Sequence, residues 1–274
     1  MKRWSGWAFV SLLLVPVLAS ALTLNGPHQQ GGLLAGQVSP NSQVQALGHE
    51  VPVDAAGRFI IGLGRDAPAR FMLRVEQPDG VVNTHSIEVA ARDYAIQRID
   101  GLPSNQVSPD ADTLARIRRD NAAVGAARAE RLPQRYFDSG WIWPVTGPIS
   151  GVYGSQRILN GQPRQPHYGV DIARATGTPV RAPADGIVTL AARDLFFSGG
   201  TLILDHGQGL SSSFLHLSAM RVEAGDPVEQ GEVIAEVGAT GRVTGAHLDW
   251  RMNWFDQRID PTLLVPPMPA STQP

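Results

Sequence analysis

The chain has 274 residues, a formal charge of −2, 29 glycines, 21 prolines and no cysteine. That length allows two cores, and the charge gives no bulk basic signal for nucleic acid. The lack of cysteine excludes disulfides, thiolate metal sites, a cysteine nucleophile and a lipid-anchored N-terminal cysteine. Any metal site must use His, Asp or Glu.

The chain starts MKRWSGWAFVSLLLVPVLASALTL. Lys2 and Arg3 precede a short apolar run containing Pro16, and Ala19-Ser20-Ala21 is a small-residue cleavage pattern. Residues 1–21 are therefore expected to be a secretory signal peptide rather than a membrane anchor. Its loss lowers Lys+Arg from 23 to 21 against 25 Asp+Glu, giving −4. The expected product is exported to the periplasm or cell envelope with no stable membrane span. Lys2 is the one lysine, so the positive charge of the exported part is all arginine.

Residues 22–92 read as a small β-sandwich domain. GRFIIGLG, RFMLRVEQ and VVNTHSIEVAA run at strand length and are separated by turn signals such as QPDG. His28, His49 and His85 are scattered singly there and form no catalytic cluster. Residues 93–132 read as a connector and linker helix, capped by Ser108, with Pro109 at the first helical position and Asp110 and Asp112 in the first turn. The helix carries Arg116, Arg118, Arg119, Arg128 and Arg131. Interspersed acids favour a solvated helix with internal charge pairs over a stripe for an anionic polymer. Pro133 ends it. Residues 133–265 show strand after strand with no clear helix, which predicts an all-β second domain. Residues 266–274, ending PPMPASTQP, read as a disordered tail.

Four of the seven histidines fall in the second domain. PHYGVDIA places His167 four residues before Asp171, FLHLS places His216 at a strand end, and AHLDW supplies His247 and Asp249. His206, in LDHGQG, reads as structural. A catalytic zinc takes three protein ligands and keeps a fourth position for water. His167, Asp171 and one member of the His247/Asp249 pair can supply three, leaving other histidines for proton transfer and oxyanion stabilisation.

VYGSQRILNGQPRQPHYGVDIA, GTPVRAPADGIV, FLHLS, VEQGEVIAEVGATGRVTGAHLDW and IDPTLLV follow one another in an order and spacing that resembles the lysostaphin-like, LytM-type zinc endopeptidases of peptidoglycan, over roughly residues 140–265. The resemblance implies a mostly β fold: an N-terminal β-sandwich, the linker helix, and a C-terminal LytM-type β barrel-sandwich (duplicated hybrid motif). It implies one zinc ion held by His167, Asp171 and the residue at position 249, with His216 and His247 catalytic. Position 249 departs from the family's H-x-H pattern by holding Asp, and Phe214 stands where Tyr is usual. A carboxylate binds zinc at about the imidazole distance, roughly 2.0–2.2 Å, so Asp249 is expected to serve as ligand. Two carboxylates would leave a weaker Lewis acid and a harder donor set, which makes manganese thinkable. Arg251, two residues on, can instead pair with Asp249, or can bind a substrate carboxylate.

The expected function is a peptidase acting on stems or cross-links of peptidoglycan. The rival within the same resemblance is a catalytically silent domain that activates a cell-wall amidase or serves a divisome protein. VRAPADGIV followed by VEQGEVIAEVG is also similar to lipoyl and biotinyl carrier barrels, but these need a lysine and the exported part has none. A paired-histidine phosphocarrier would be separated from its cytoplasmic phosphoryl donor.

Overall fold

The computed structural model describes residues 22–99, 110–129, 132–159 and 161–269. The expected signal peptide, Ser108, Pro109, Arg131 and the end of the tail lie outside them. The strands are β1 (Thr23–Asn25), β2 (Leu33–Gln37), β3 (Gln43–Ala46), β4 (His49–Val51), β5 (Arg58–Gly62), β6 (Arg70–Glu76), β7 (Val82–Glu88) and β8 (Ile96–Ile99). After helix α1 (Ala111–Ala127) come β9 (Ile149–Gly151), β10 (Gln156–Leu159), β11 (Gln162–Pro163), β12 (Gly169–Ala173), β13 (Pro179–Arg181), β14 (Gly186–Leu195), β15 (Gly199–Gly207) and β16 (Leu210–Leu217). The last are β17 (Ala219–Met220), β18 (Pro227–Val228), β19 (Val233–Glu236), β20 (His247–Trp254) and β21 (Gln257–Ile259). The fold is mostly β, as the sequence pattern requires. Among the described residues, no helix is long and apolar enough to cross a membrane.

The N-terminal strands form two sheets, ordered β1-β2-β5 and β4-β3-β6-β7. β6 shows why: Phe71, Leu73 and Val75 are buried while Arg70 and Met72 face out. The C-terminal half is built on an eight-stranded sheet, β18-β14-β15-β16-β20-β12-β9 with β21 paired to β20. Its path is open, so the structure is sandwich-like rather than a closed barrel. β15 and β16 are buried along their whole length because both faces are covered.

Helix α1 differs from the expectation at both ends. Its N-cap is Asp110, whose carboxylate accepts the Thr113 N–H at 2.7 Å, and it stops at Ala127, before Pro133 is reached. A carboxylate three residues ahead of the N–H it accepts is a complete cap. The helix is tied to the β14–β15 turn: Arg116 pairs with Asp194 at 2.8 Å, and Asp120 accepts the Phe196 N–H at 2.8 Å. Its last residues run inward. Ala127 is buried, and Arg128 bonds Ser213 on β16.

The two halves share one continuous apolar core. β5 is buried on both faces because Gly62 lies flush against Trp254 of β20. Around this contact His49 stacks on Phe255, with centroids 4.5 Å apart, and bonds Asp256 at 2.7 Å; Arg92 pairs with the buried Asp260 at 2.8 Å. The chain ahead of α1 then braces the loop that carries His167. β8 pairs in parallel with β10, Arg65 donates to Gly154 O at 2.9 Å, and Gly154 N donates to His167 O at 2.7 Å.

A Cβ at position 62 would fall inside the Trp254 side chain. Gly62→Ala is expected to cost about 1–3 kcal/mol by overpacking, lowering the melting temperature; an unchanged melt would show that this contact is not close-packed. His206 is fully buried, with Nδ1 donating to Asp185 O at 2.6 Å and Nε2 accepting from Ser212 Oγ at 2.7 Å. This satisfies the neutral ring, and burial pushes its pKa down to about 4. The unfolded chain binds the proton first, so stability falls as pH drops from the ordinary histidine value toward about 4, by about 3 kcal/mol in all. Chemical denaturation between pH 7 and 4 should show this slope in the wild type, and a reduced slope in His206→Gln.

Candidate metal centre

The site begins with the two-residue period of β20. Leu248, Trp250, Met252 and Trp254 are buried in the core at 0% exposure, while His247, Asp249, Arg251 and Asn253 share the opposite face. β12 pairs antiparallel with it and sets Asp171 across from Asp249 and Gly169 across from Arg251. Opposed residues project to the same side, so the two carboxylates stand together. His167, just before β12, reaches the same place: its Nε2 is 2.9 Å from Asp171 Oδ1 and 3.8 Å from Asp249 Oδ2. Ligand atoms of His167, Asp171 and Asp249 all lie within 4.8 Å of one another. Glycines make room beneath them. A Cβ on Gly151 would strike the Asp171 carboxylate, and one on Gly169 would strike Asp249 and Arg251.

His247 Nε2 is 3.8 Å from Asp171 Oδ1, and the His216 ring lies 4.9 Å from the His247 ring. All five residues proposed from the sequence therefore converge on one face, while His206 lies apart in the core. His216 has φ +67°, the left-handed region that a non-glycine residue occupies at a cost of order 1 kcal/mol or more. Its N–H bonds Ser198 O at 2.8 Å and its Nδ1 bonds Thr240 O at 2.9 Å. Those bonds hold the strained residue in place.

One device repeats on all three imidazoles. Nδ1 faces a backbone carbonyl: Gly169 O at 2.8 Å for His167, Thr240 O at 2.9 Å for His216 and Gly245 O at 2.9 Å for His247. A carbonyl only accepts, so each Nδ1 carries the proton and each Nε2 is turned to the site. A carbonyl acceptor on the far ring nitrogen fixes the tautomer and orientation of a metal-binding imidazole. Sequence reasoning did not find Thr240, Gly245 or Gly169 as partners, because any residue type supplies a carbonyl.

The electrostatics suit a cation. Burial, and then the neighbouring Asp249, raise the pKa of Asp171. The 2.9 Å hydrogen bond between His167 Nε2 and Asp171 Oδ1 holds a proton between two would-be ligand atoms, and binding of a divalent ion there would release it. For Asp249, burial works upward, but the Arg251 guanidinium outweighs it and holds the carboxyl below its ordinary value. Arg251 clasps that carboxylate through Nε, 3.0 Å from Oδ1, and through Nη2, 2.5 Å from Oδ2. Burial lowers the proton affinity of His216 despite its bond to Thr240 O, keeping Nε2 unprotonated at neutral pH. The donor set of one imidazole and two carboxylates, with a carbonyl-oriented ring, fits zinc or a harder divalent ion.

A mostly β sheet thus carries an oriented His/Asp cluster of the kind that can hold a divalent cation. The family model for peptidase family M23 matches residues 165–261. A solved peptidase M23 structure from Pseudomonas aeruginosa is 31% identical, with a TM-score of 0.70, and the match covers 88% of this chain and 96% of that one. The chain belongs to peptidase family M23. It is 40% identical over 107 residues to the DD-carboxypeptidase/endopeptidase Mpg of Neisseria meningitidis serogroup B, which is 39% of this chain and 24% of that protein. It is 36% identical over 125 residues to the peptidoglycan DD-endopeptidase ShyA of Vibrio cholerae serotype O1, 45% of this chain and 27% of that protein. The chain thus spans about a quarter of the length of these curated relatives.

Arg251 and a bound cation act on the same carboxylate. Arg251→Gln should cost about 3–5 kcal/mol without metal, since it strands a buried charge. Zinc should then raise the melting temperature of the variant more than that of the wild type. Equal zinc-induced shifts in thermal melts would place Asp249 outside the metal's reach.

Proposed function

We propose that this chain is an exported, metal-dependent endopeptidase that hydrolyses peptide bonds in peptidoglycan stems or cross-links. The observation that carries this reading is the convergence of His167 Nε2 and His247 Nε2 on the Asp171/Asp249 pair, with the His216 ring 4.9 Å from that of His247. The peptidoglycan substrate is supported by the relatives' names, and the envelope location by the layout of residues 1–21.

In this proposal His167, Asp171 and Asp249 hold one zinc ion. The bound ion would polarise a water molecule and the scissile carbonyl. His216 and His247 move the protons. With Nδ1–H committed to a carbonyl, a neutral ring can only accept at Nε2, so one of the pair takes the proton of the attacking water there. Once protonated, the same Nε2–H becomes a donor, able to steady the oxyanion and then to protonate the leaving amine. The left-handed backbone of His216 aims its ring at His247, 4.9 Å away. The N-terminal unit, 22–92, braces the His167 loop through the chain that follows it, with the connector at 93–132 and the peptidase unit at 133–265.

One observation favours a second reading. The Arg251–Asp249 clasp satisfies the would-be third ligand without metal, as suits a silent domain that binds and activates a cell-wall amidase or divisome partner. Elemental analysis and peptidoglycan digestion separate the two. The enzyme reading expects about one metal ion per chain in the wild type, little in His167→Ala, and soluble muropeptides released by the wild type. His216→Ala should keep the metal and lose at least about a hundredfold in rate. Absent metal and absent digestion in zinc-supplemented wild type would leave only the partner-activating reading.

A further inference from the structure

The face of β20 continues past the metal cluster. After His247 and Asp249 come Arg251 and Asn253, and two more arginines are drawn to these positions. Ser213 of β16 lies across from Arg251, and its Oγ accepts from Arg128 Nη2 at 2.9 Å. Asn253 lies across from Arg258 in the β20–β21 hairpin, and its Oδ1 accepts from Arg258 Nη1 at 3.0 Å. The Arg258 guanidinium also sits over Tyr168, 5.6 Å from the ring centroid, next to His167 in sequence. Three guanidinium groups thus border one end of the proposed metal centre, delivered by the end of α1, by β20 and by β21.

Among the described residues, one of the three has a countercharge. Arg251 is held by Asp249. Among the described residues, neither Arg128 nor Arg258 has a carboxylate within ion-pair distance. Arg128 Nε is buried and has no hydrogen-bond partner. A buried guanidinium normally has a carboxylate or a full set of acceptors, since stranding its charge is costly. The cost registers on both side chains. Burial, and then the other arginines, push Arg128 down to about 9; burial, and then Arg251, push Arg258 down to about 10. The end of α1 thus sets Arg128 against two further arginines, a grouping whose charge suits an anion. Each guanidinium has five N–H donors. The contacts described use two on Arg251 and one each on Arg128 and Arg258, so a planar oxyanion can be gripped by more than one fork.

We infer that Arg128, Arg251 and Arg258 form a recognition pocket for a free carboxylate of the peptide substrate, next to the bond that the metal centre attacks. This rests on the peptidase reading for its substrate class. It deepens that reading by requiring an acidic group on the residue flanking the scissile bond. Two sources supply such a group: the C-terminus of a peptide stem, or the free carboxylate of a branching diamino acid in a cross-link. Arg251 joins the two sites, one side of its guanidinium on Asp249 and the other toward the pocket. Arg128 is a substrate-positioning residue that acts on binding, away from the reacting atoms.

The test is binding by isothermal calorimetry on the full chain, which needs no turnover. The probes are a short peptide ending in D-Ala-D-Ala as free acid and as C-terminal amide, and a diaminopimelate-containing peptide with its free carboxylate intact and amidated. One of the two acids should bind at least about tenfold more tightly than its amide, the yield of one charge-assisted contact, and the pair that shows the difference identifies the source. Arg128→Gln and, separately, Arg258→Gln should erase that preference while leaving amide binding unchanged, and Arg128→Lys should restore part of it. Equal binding of acid and amide in both pairs, or a preference that survives both Gln variants, overturns the inference. A protein that binds the acid but cleaves no peptidoglycan overturns only the catalytic reading. One that cleaves acid and amide peptides with equal KM overturns only the carboxylate pocket.

Discussion

The molecule turns on one strand with two incompatible faces. Trp250 and Trp254 on β20 are fully buried, and burying a large aromatic side chain is among the larger single contributions to a core, roughly 1.5–3 kcal/mol or more each. Slipping the strand by one residue would exchange them with Asp249 and Arg251, placing charges in the core and indoles in the site. Register is therefore fixed by apolar packing, and the position of the polar residues follows from it. The N-terminal sheets reinforce the same anchor. Gly62 lies against Trp254, and the His49 ring packs edge-on to Trp254 at 5.4 Å. The N-terminal part of the chain thus helps hold in register the strand that carries the candidate metal cluster.

Fixing the strand does not by itself aim the rings. Imidazole has a free χ2 and two tautomers, and a site that needs three Nε2 atoms pointing inward must restrict both. Three backbone carbonyls do so, at 2.8 to 2.9 Å. At His216 the side-chain constraint is joined by a strained backbone. Strain of this kind persists only where surrounding bonds over-determine it, here the bonds to Ser198 and Thr240.

Much of this was legible in the sequence, and what was missed shares a cause. GGTLILDHG and HLDWRMNW fall on β15 and β20 residue for residue, because strand period and glycine turns are local signals. The grouping of His167, Asp171, His216, His247 and Asp249 rests on their order along the chain together with the resemblance to the LytM-type endopeptidases, since the spacing alone left the third ligand open. The cap of α1 falls on Asp110, two residues after Ser108, since Ser108-Pro109 and Asp110 are both good starts and only the hydrogen bond to Thr113 decides. Arg128 was read as one charge of a solvated helix. Its burial depends on where the end of α1 meets β16, a tertiary fact that helical periodicity does not encode. The carbonyl partners of the histidines were invisible for the same reason.

The aspartate at position 249 then takes on a different meaning. A lone carboxylate in place of a neutral imidazole would add a negative charge to the donor set and weaken the ion as a Lewis acid. Arg251 removes that difference. The Asp249–Arg251 pair, clasped through two guanidinium nitrogens, is neutral as a unit and still presents carboxylate oxygen to the cluster. A cation among His167, Asp171 and this pair would meet one net negative charge, the same as with an imidazole at position 249. Strand geometry makes the compensation cheap, because residues 249 and 251 necessarily lie on one face. The exchange also leaves a consequence beyond the metal. The arginine that neutralises Asp249 brings a guanidinium to the edge of the centre, where Arg128 and Arg258 lack carboxylate partners among the described residues. On the proposed reading, the carboxylate ligand and the anion pocket both rest on one pair of side chains, Asp249 and Arg251.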